Sequence, residues 1–135
     1  MKLINLNKKG DDRGALIVIE EEQDIPIEIK RVYYMFNTKL GISRGFHAHK
    51  QLTQIAITVN GTCKFLLDDG HSKETVVLDS PSIGLVIEPM VWHEMHDFSD
   101  DCILMVLADD HYDESDYIRD YELFISKAKK QAAIL

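Results

Sequence analysis

Two turn signals govern what this chain can fold into. Asn60-Gly61 separates the apolar run IAITV from TCKFLLDD, and Asp69-Gly70 closes that second run. Asn-Gly and Asp-Gly pairs supply the positive φ that tight hairpin turns require, so each marks a strand reversal. Short β-rich runs recur along the chain: GALIVIE (14–20), IKRVYYMF (29–36), ETVVLD, SIGLVIEP and CILMVLAD. Ile25-Pro26-Ile27 marks an edge or a bend, because proline cannot donate to a sheet ladder. Regularly spaced short strands divided by turns predict an all-β sandwich or barrel. From Asp113 the period changes. Tyr117, Tyr121, Phe124, Ile125 and Ala128 follow helical spacing, and Asp113 with Asp116 is arranged as a cap. A C-terminal α-helix over about 114–132 is predicted. No linker or repeat divides residues 1–135, so one domain is predicted, long enough to bury a core.

The chemistry concentrates in two stretches. RGFHAHK (44–50) sets His47 and His49 two apart, so an extended strand points both to one face. Without a bulge that face carries Ile55, Ile57 and Val59, which are predicted to line the barrel interior. VWHEMHDF (91–98) places His93 and Met95 on one face of a strand, with Glu94 and His96 on the other. Two such clusters on two strands predict one shared pocket. Imidazoles there can hold a metal, carry a proton, or sit satisfied in a core. Arg44 beside the pair suits an anionic ligand.

The formal net charge of −8 disfavours nucleic acid, which selects a basic footprint. No apolar run has the length of a membrane helix, and MKLINLNKKG lacks a signal-like apolar stretch, so a cytoplasmic protein is predicted. Cys63 and Cys102 lie in apolar runs and read as buried thiols, with no disulfide.

The His-x-His stretch resembles the cupin superfamily, in which a glycine, five residues, His-x-His, a glutamate and a later glycine recur. Gly41, His47, His49 and Gly61 match that pattern, but Gln54 holds the glutamate position. An amide is a poorer ligand than a carboxylate, so the metal signal is weakened at that point. Gly84, Pro89 and His93 match the second cupin motif loosely. The resemblance implies a double-stranded β-helix, or jelly-roll, barrel.

A closer resemblance covers residues from about 11 to 121. DDRGALIVIEE, RGFHAHKQL, NGTCKFLLDDG and VWHEMHDFSDDCILMVLA are similar to the cupin-type dTDP-4-dehydro-6-deoxyglucose 3,4-ketoisomerases of bacterial surface-sugar synthesis. The resemblance implies a dTDP-linked 4-keto-6-deoxy sugar as substrate and a 3-keto isomer, of galacto configuration at C4, as product. It implies His47 as the base at C3 and His49 as the second acid or base. Arg13, Tyr33, Arg44, Gln51, His93 and His96 are the expected substrate-binding residues, with Arg13 and His96 setting the C4 configuration. It further implies no metal, no cofactor, and a homodimer with exchanged N-terminal strands. Two other readings remain: a metal-dependent cupin enzyme, and a nucleotide-sugar-binding module without catalysis.

Overall fold

A computed structural model describes residues 2–134. Two five-stranded antiparallel sheets face each other. The first comprises β1 (Lys2–Asn5), β4 (Arg31–Met35), β6 (Gln54–Asn60), β9 (Ile83–Ile87) and β11 (Ile103–Ala108), in the order β1-β9-β6-β11-β4. The second comprises β5 (Arg44–His49), β7 (Cys63–Asp68), β8 (Lys73–Leu78), β10 (Trp92–His96) and β12 (Tyr117–Ile118), in the order β12-β5-β10-β7-β8. A separate two-stranded ribbon, β2 (Lys8–Asp11) with β3 (Gly14–Ile17), pairs with neither sheet. This is the expected all-β jelly-roll barrel with one C-terminal helix.

Three apolar layers hold it together. Phe65, Phe98, Leu85 and Leu104 pack between the sheets with Cys63 and Cys102, which are buried free thiols as predicted. A second layer lies outside the first sheet, where Leu6, Ile25 and Ile27 cover Ile55, Ile57 and Leu107. The third lies outside the second sheet, where Phe124 and Ala128 pack on Ala48, Trp92 and Ile118. Each layer removes large side chains from water, at about 1.5–3 kcal/mol per fully buried residue.

The layer outside the first sheet corrects one expectation. Ile55 and Ile57 face the N-terminal segment, and Val59 is exposed. Gln54, Ala56 and Thr58 occupy the opposite face of β6, and Ala56 belongs to the intersheet core. A central strand covered on both sides has no polar face to reveal its phase. The histidine pair also does not share that strand, because the chain bends at Lys50 and Gln51 between β5 and β6.

The helix differs too. The α-helix α1 spans Tyr121–Ile134 and does not begin near residue 114. Asp113 caps a short 3-10 turn, Glu114–Asp116. Tyr117 and Ile118 then pair with His49 and Ala48 as β12. The true N-cap is Asp120, whose carboxylate accepts from the Leu123 amide at 3.1 Å. The helix lies on the Asp69-Gly70 turn. A Cβ at Gly70 would fall 2.5 Å from the Ala128 methyl, so the turn glycine also makes room for the helix.

Candidate active site

The site grows from an irregularity in β5. His93 of β10 pairs with His47, while the next residue, Glu94, pairs with Gly45, which leaves Phe46 as an extra residue. Gly45 takes φ +92° and Phe46 φ +63°, so the β-bulge rests on a glycine at its first position. The bulge changes the phase of the strand. Arg44 comes to lie opposite Met95, an intersheet core residue, and so shares the inner face with His47. A regular strand would have turned Arg44 outward.

Three imidazoles converge on this inner face. The ring centroids of His47 and His93 are 4.6 Å apart, and those of His47 and His49 are 5.0 Å apart. Tyr117 lies against both members of the pair, 4.9 Å from His47 and 4.3 Å from His49. His49 and His93 are each 2% exposed, whereas His47 is partly accessible. Burial, followed by the neighbouring His47, pushes His49 down to about 4. Asp116, whose carboxylate oxygen lies 3.3 Å from His49 Nδ1, pulls the other way. Burial, again followed by His47, takes His93 down to about 3. Burial also lowers His47. The cluster is therefore neutral at pH 7, the state in which an imidazole can accept a proton.

Tyr33 extends from β4 toward the same region. Gln54 donates to its hydroxyl oxygen at 2.8 Å, which leaves the phenol proton free to point elsewhere. Burial raises the Tyr33 pKa, so it remains a donor. Arg31 stacks over the rings of Tyr33 and Tyr112, at 5.5 and 5.8 Å. Arg31, His49, Gln51, Asp116 and Tyr117 line a narrow cleft.

Of the eight residues singled out in the sequence, the structure gathers His47, His49, His93, Tyr33, Arg44 and Gln51. It does not bring His96 to them. His96 lies on the outer face of β10, where the Glu94 carboxylate accepts from its Nε2 at 2.9 Å. Its Nδ1 is paired with the Ser43 hydroxyl at 2.7 Å, and the ring packs edge-on against Phe46. Arg13 is likewise remote within its own chain. It sits at the tip of the β2–β3 ribbon, bound to Asp11 with its side chain 87% exposed. Arg31, Asp116 and Tyr117 were missed. Arg31 shows in the sequence only as a cation in a strand-like run, Asp116 as part of a cap and Tyr117 as part of the helical spacing, and the last two arrive from more than sixty residues away.

The family model described as "FdtA: WxcM-like, C-terminal" matches residues 1–129. The TDP-4-oxo-6-deoxy-alpha-D-glucose-3,4-oxoisomerase of Aneurinibacillus thermoaerophilus is 57% identical over 123 residues, covering 91% of this chain and 88% of that one. A double mutant of the QdtA 3,4-ketoisomerase from Thermoanaerobacterium thermosaccharolyticum, solved with TDP, superposes with TM-score 0.94 at 47% identity, covering 96% and 94% of the two chains. The WlaRB TDP-quinovose 3,4-ketoisomerase of Campylobacter jejuni follows with TM-score 0.89 at 46% identity, covering 93% and 96%. The family match over residues 1–129 and these identities bear out the resemblance read from RGFHAHK and VWHEMHDF: the chain belongs to the FdtA, WxcM-like family of sugar-nucleotide ketoisomerases.

Proposed function

We propose that the protein converts dTDP-4-dehydro-6-deoxy-D-glucose into a dTDP-3-dehydro-6-deoxyhexose, for synthesis of a 3-amino-3,6-dideoxyhexose of a surface glycan. The observation that carries this reading is the pair of neutral imidazoles on one face of β5, with the Tyr33 phenol nearby. His47, the more accessible ring, takes the proton from sugar C3, made acidic by the C4 carbonyl. The electron pair moves onto the C4 oxygen, which is protonated, giving an enediol across C3 and C4. The C3 hydroxyl then gives up its proton, and C4 receives one on carbon with help from His49. The C3 oxygen becomes the ketone and the C4 oxygen an alcohol, so no outside oxidant or reductant is needed. Tyr33 donates to the oxygen on which charge develops. Arg44, brought inward by the bulge, suits the diphosphate. Gln51 lines the cleft beside His49, and His93 backs His47. The galacto configuration at C4 is carried over from the resemblance. The same resemblance assigns it to Arg13 and His96, of which His96 lies outside the imidazole cluster within its own chain.

The reading includes a homodimer. The β2–β3 ribbon has no sheet partner, and an isolated hairpin is marginal in water. Strand β4 is a sheet edge whose outward side chains Val32 and Tyr34, with Phe36 just beyond it, are 51%, 63% and 60% exposed. An unpaired edge beside an apolar face favours strand addition from a second copy. Arg13 reaches substrate only if the arm that carries it is exchanged in this way.

Replacing His47 with Asn tests the reaction. Loss of a positioned general base costs about 10²- to 10⁴-fold in kcat, while dTDP binding is retained. Activity survives exhaustive chelation. Turnover within tenfold of the parent protein, or activity lost with the chelated metal, overturns the reading.

A further inference from the structure

His96 is held by both flanks of the β5 bulge. The Ser43 hydroxyl pairs with its Nδ1 at 2.7 Å, and the Phe46 phenyl packs edge-on against its ring, with centroids 5.7 Å apart. Between those two residues lie Arg44 and Gly45. The bulge that brings Arg44 to the inner face therefore closes around a side chain on the outer face.

The histidine is itself tied back to the fold. A carboxylate can only accept, so the 2.9 Å contact with Glu94 Oε1 sets a proton on His96 Nε2 and turns Nδ1 toward Ser43. The other Glu94 oxygen accepts from the Trp92 indole N–H at 2.9 Å. Trp92 is buried, and its ring packs against Tyr121 and Phe124 of α1, with centroids 5.2 and 5.8 Å away. A hydrogen-bonded chain thus runs along the outer face of β10, from Trp92 under the helix through Glu94 and His96 to Ser43.

Such a clasp has a task. Phe46 is not a glycine yet takes φ +63°, a conformation that persists only where surrounding contacts over-determine it. Phe46 is 42% exposed, so burial in the core does not hold it there. Its contact with His96, and the Ser43 bond on the other side of the bulge, supply the constraint. Neighbouring residues of a strand face opposite ways, so a slip of the extra residue turns Arg44 from the inner face to the outer one.

We propose that His96 is a positioning residue of the isomerase: by gripping Ser43 and Phe46 from outside the barrel, it fixes the bulge that aims Arg44 at the substrate's diphosphate. The proposal rests on the role given to Arg44 above. His96 strengthens binding through Arg44, without itself touching the nucleotide.

The test measures dTDP binding by calorimetry, together with isomerase kinetics. His96→Ala and Ser43→Ala each weaken dTDP binding and raise KM by about fivefold or more, with kcat within about twofold of the parent protein. Ser43→Thr, which keeps the hydroxyl, retains the parent values, and His71→Ala, at an exposed turn, leaves them unchanged. The deciding measurement combines His96→Ala with Arg44→Ala. A residue that works through Arg44 costs nothing more once the guanidinium is gone, so the double variant binds dTDP within about twofold of Arg44→Ala alone. Because His96→Ala removes a partly buried side chain, thermal melts are recorded, and Ser43→Ala, at an exposed position, repeats the cycle. Parent-like dTDP binding and KM in the folded His96→Ala and Ser43→Ala variants overturn the proposal. Losses that multiply with that of Arg44→Ala also overturn it. The same coupling to Arg44 in a protein that binds dTDP but shows no isomerase activity removes the functional reading and leaves the clasp standing.

Discussion

Acid should destabilise this fold well above the pH at which carboxylates titrate. Folding holds His49 at about 4 and His93 at about 3, against about 6.5 in an unfolded chain. Between pH 6.5 and 4 the unfolded state therefore binds more protons than the native state, and stability rises with pH throughout that window. The contribution is fully present above pH 6.5 and is lost as pH falls toward the folded values. At pH 5 an unfolded histidine gains about 2 kcal/mol from protonation that a folded one at 4 or below largely forgoes. His49 and His93 together cost about 4 kcal/mol between pH 7.5 and 5, and the lowered His47 adds to the loss in the same direction. Domains of this kind are stable by about 5–15 kcal/mol, so the melting temperature should fall by roughly 10–20 °C. Urea melts of chelated protein at pH 7.5, 6 and 5 measure this. The double variant His49→Gln, His93→Gln starts less stable yet should lose several kcal/mol less over the same range. Equal losses for the two proteins would show that these imidazoles are not held neutral by burial.

Two further outcomes follow from packing. Gly45→Ala places a Cβ 3.0 Å from the His93 carbonyl oxygen at φ +92°, so the bulge should be strained by about 1–3 kcal/mol; a lowered melting temperature with a raised KM, as Arg44 and His47 shift, checks it. Tyr121→Phe removes the phenol that donates to Asp68 at 2.5 Å and leaves that buried carboxylate with the Gly70 amide, at a cost of about 1–3 kcal/mol readable in a urea melt with kcat unchanged.

Much of the architecture was legible because local chemistry and fold agree. Asp69-Gly70 joins the paired strands β7 and β8 as a real hairpin, and β6, β7, β8, β9 and β11 coincide closely with the apolar runs that announced them. Asn60-Gly61 does end β6, but β6 and β7 pair in different sheets, so that turn passes the chain from one sheet to the other and closes no hairpin. The failures have physical causes. The segments KLIN and KKGD carry no alternation, since β1 gains its place from its edge pairing with β9 and the ribbon from pairing with itself. Tyr117-Ile118 continues the helical spacing, yet β12 forms because β5 offers it an open edge. In the site, two-residue alternation placed His93 and Met95 on one face and Glu94 and His96 on the other, and that geometry holds, with the first pair facing the core. His96, on the face away from His93, was expected to bind substrate on the resemblance alone. The inward turn of Arg44 depends on one extra residue, Phe46, and a bulge shows itself only when its partner strand is known. Asp116 and Arg31 approach His49 through tertiary packing alone.

The central claim is that solvent hydrogen reaches one sugar carbon through these imidazoles. Incubating the protein with dTDP-4-dehydro-6-deoxyglucose in deuterated water and following the sugar by NMR tests it most directly. The account predicts a 3-keto product carrying deuterium at C4, formed by the parent protein and lost with His47→Asn. Label at C5, or a 3-keto product that forms equally well without His47, would contradict it.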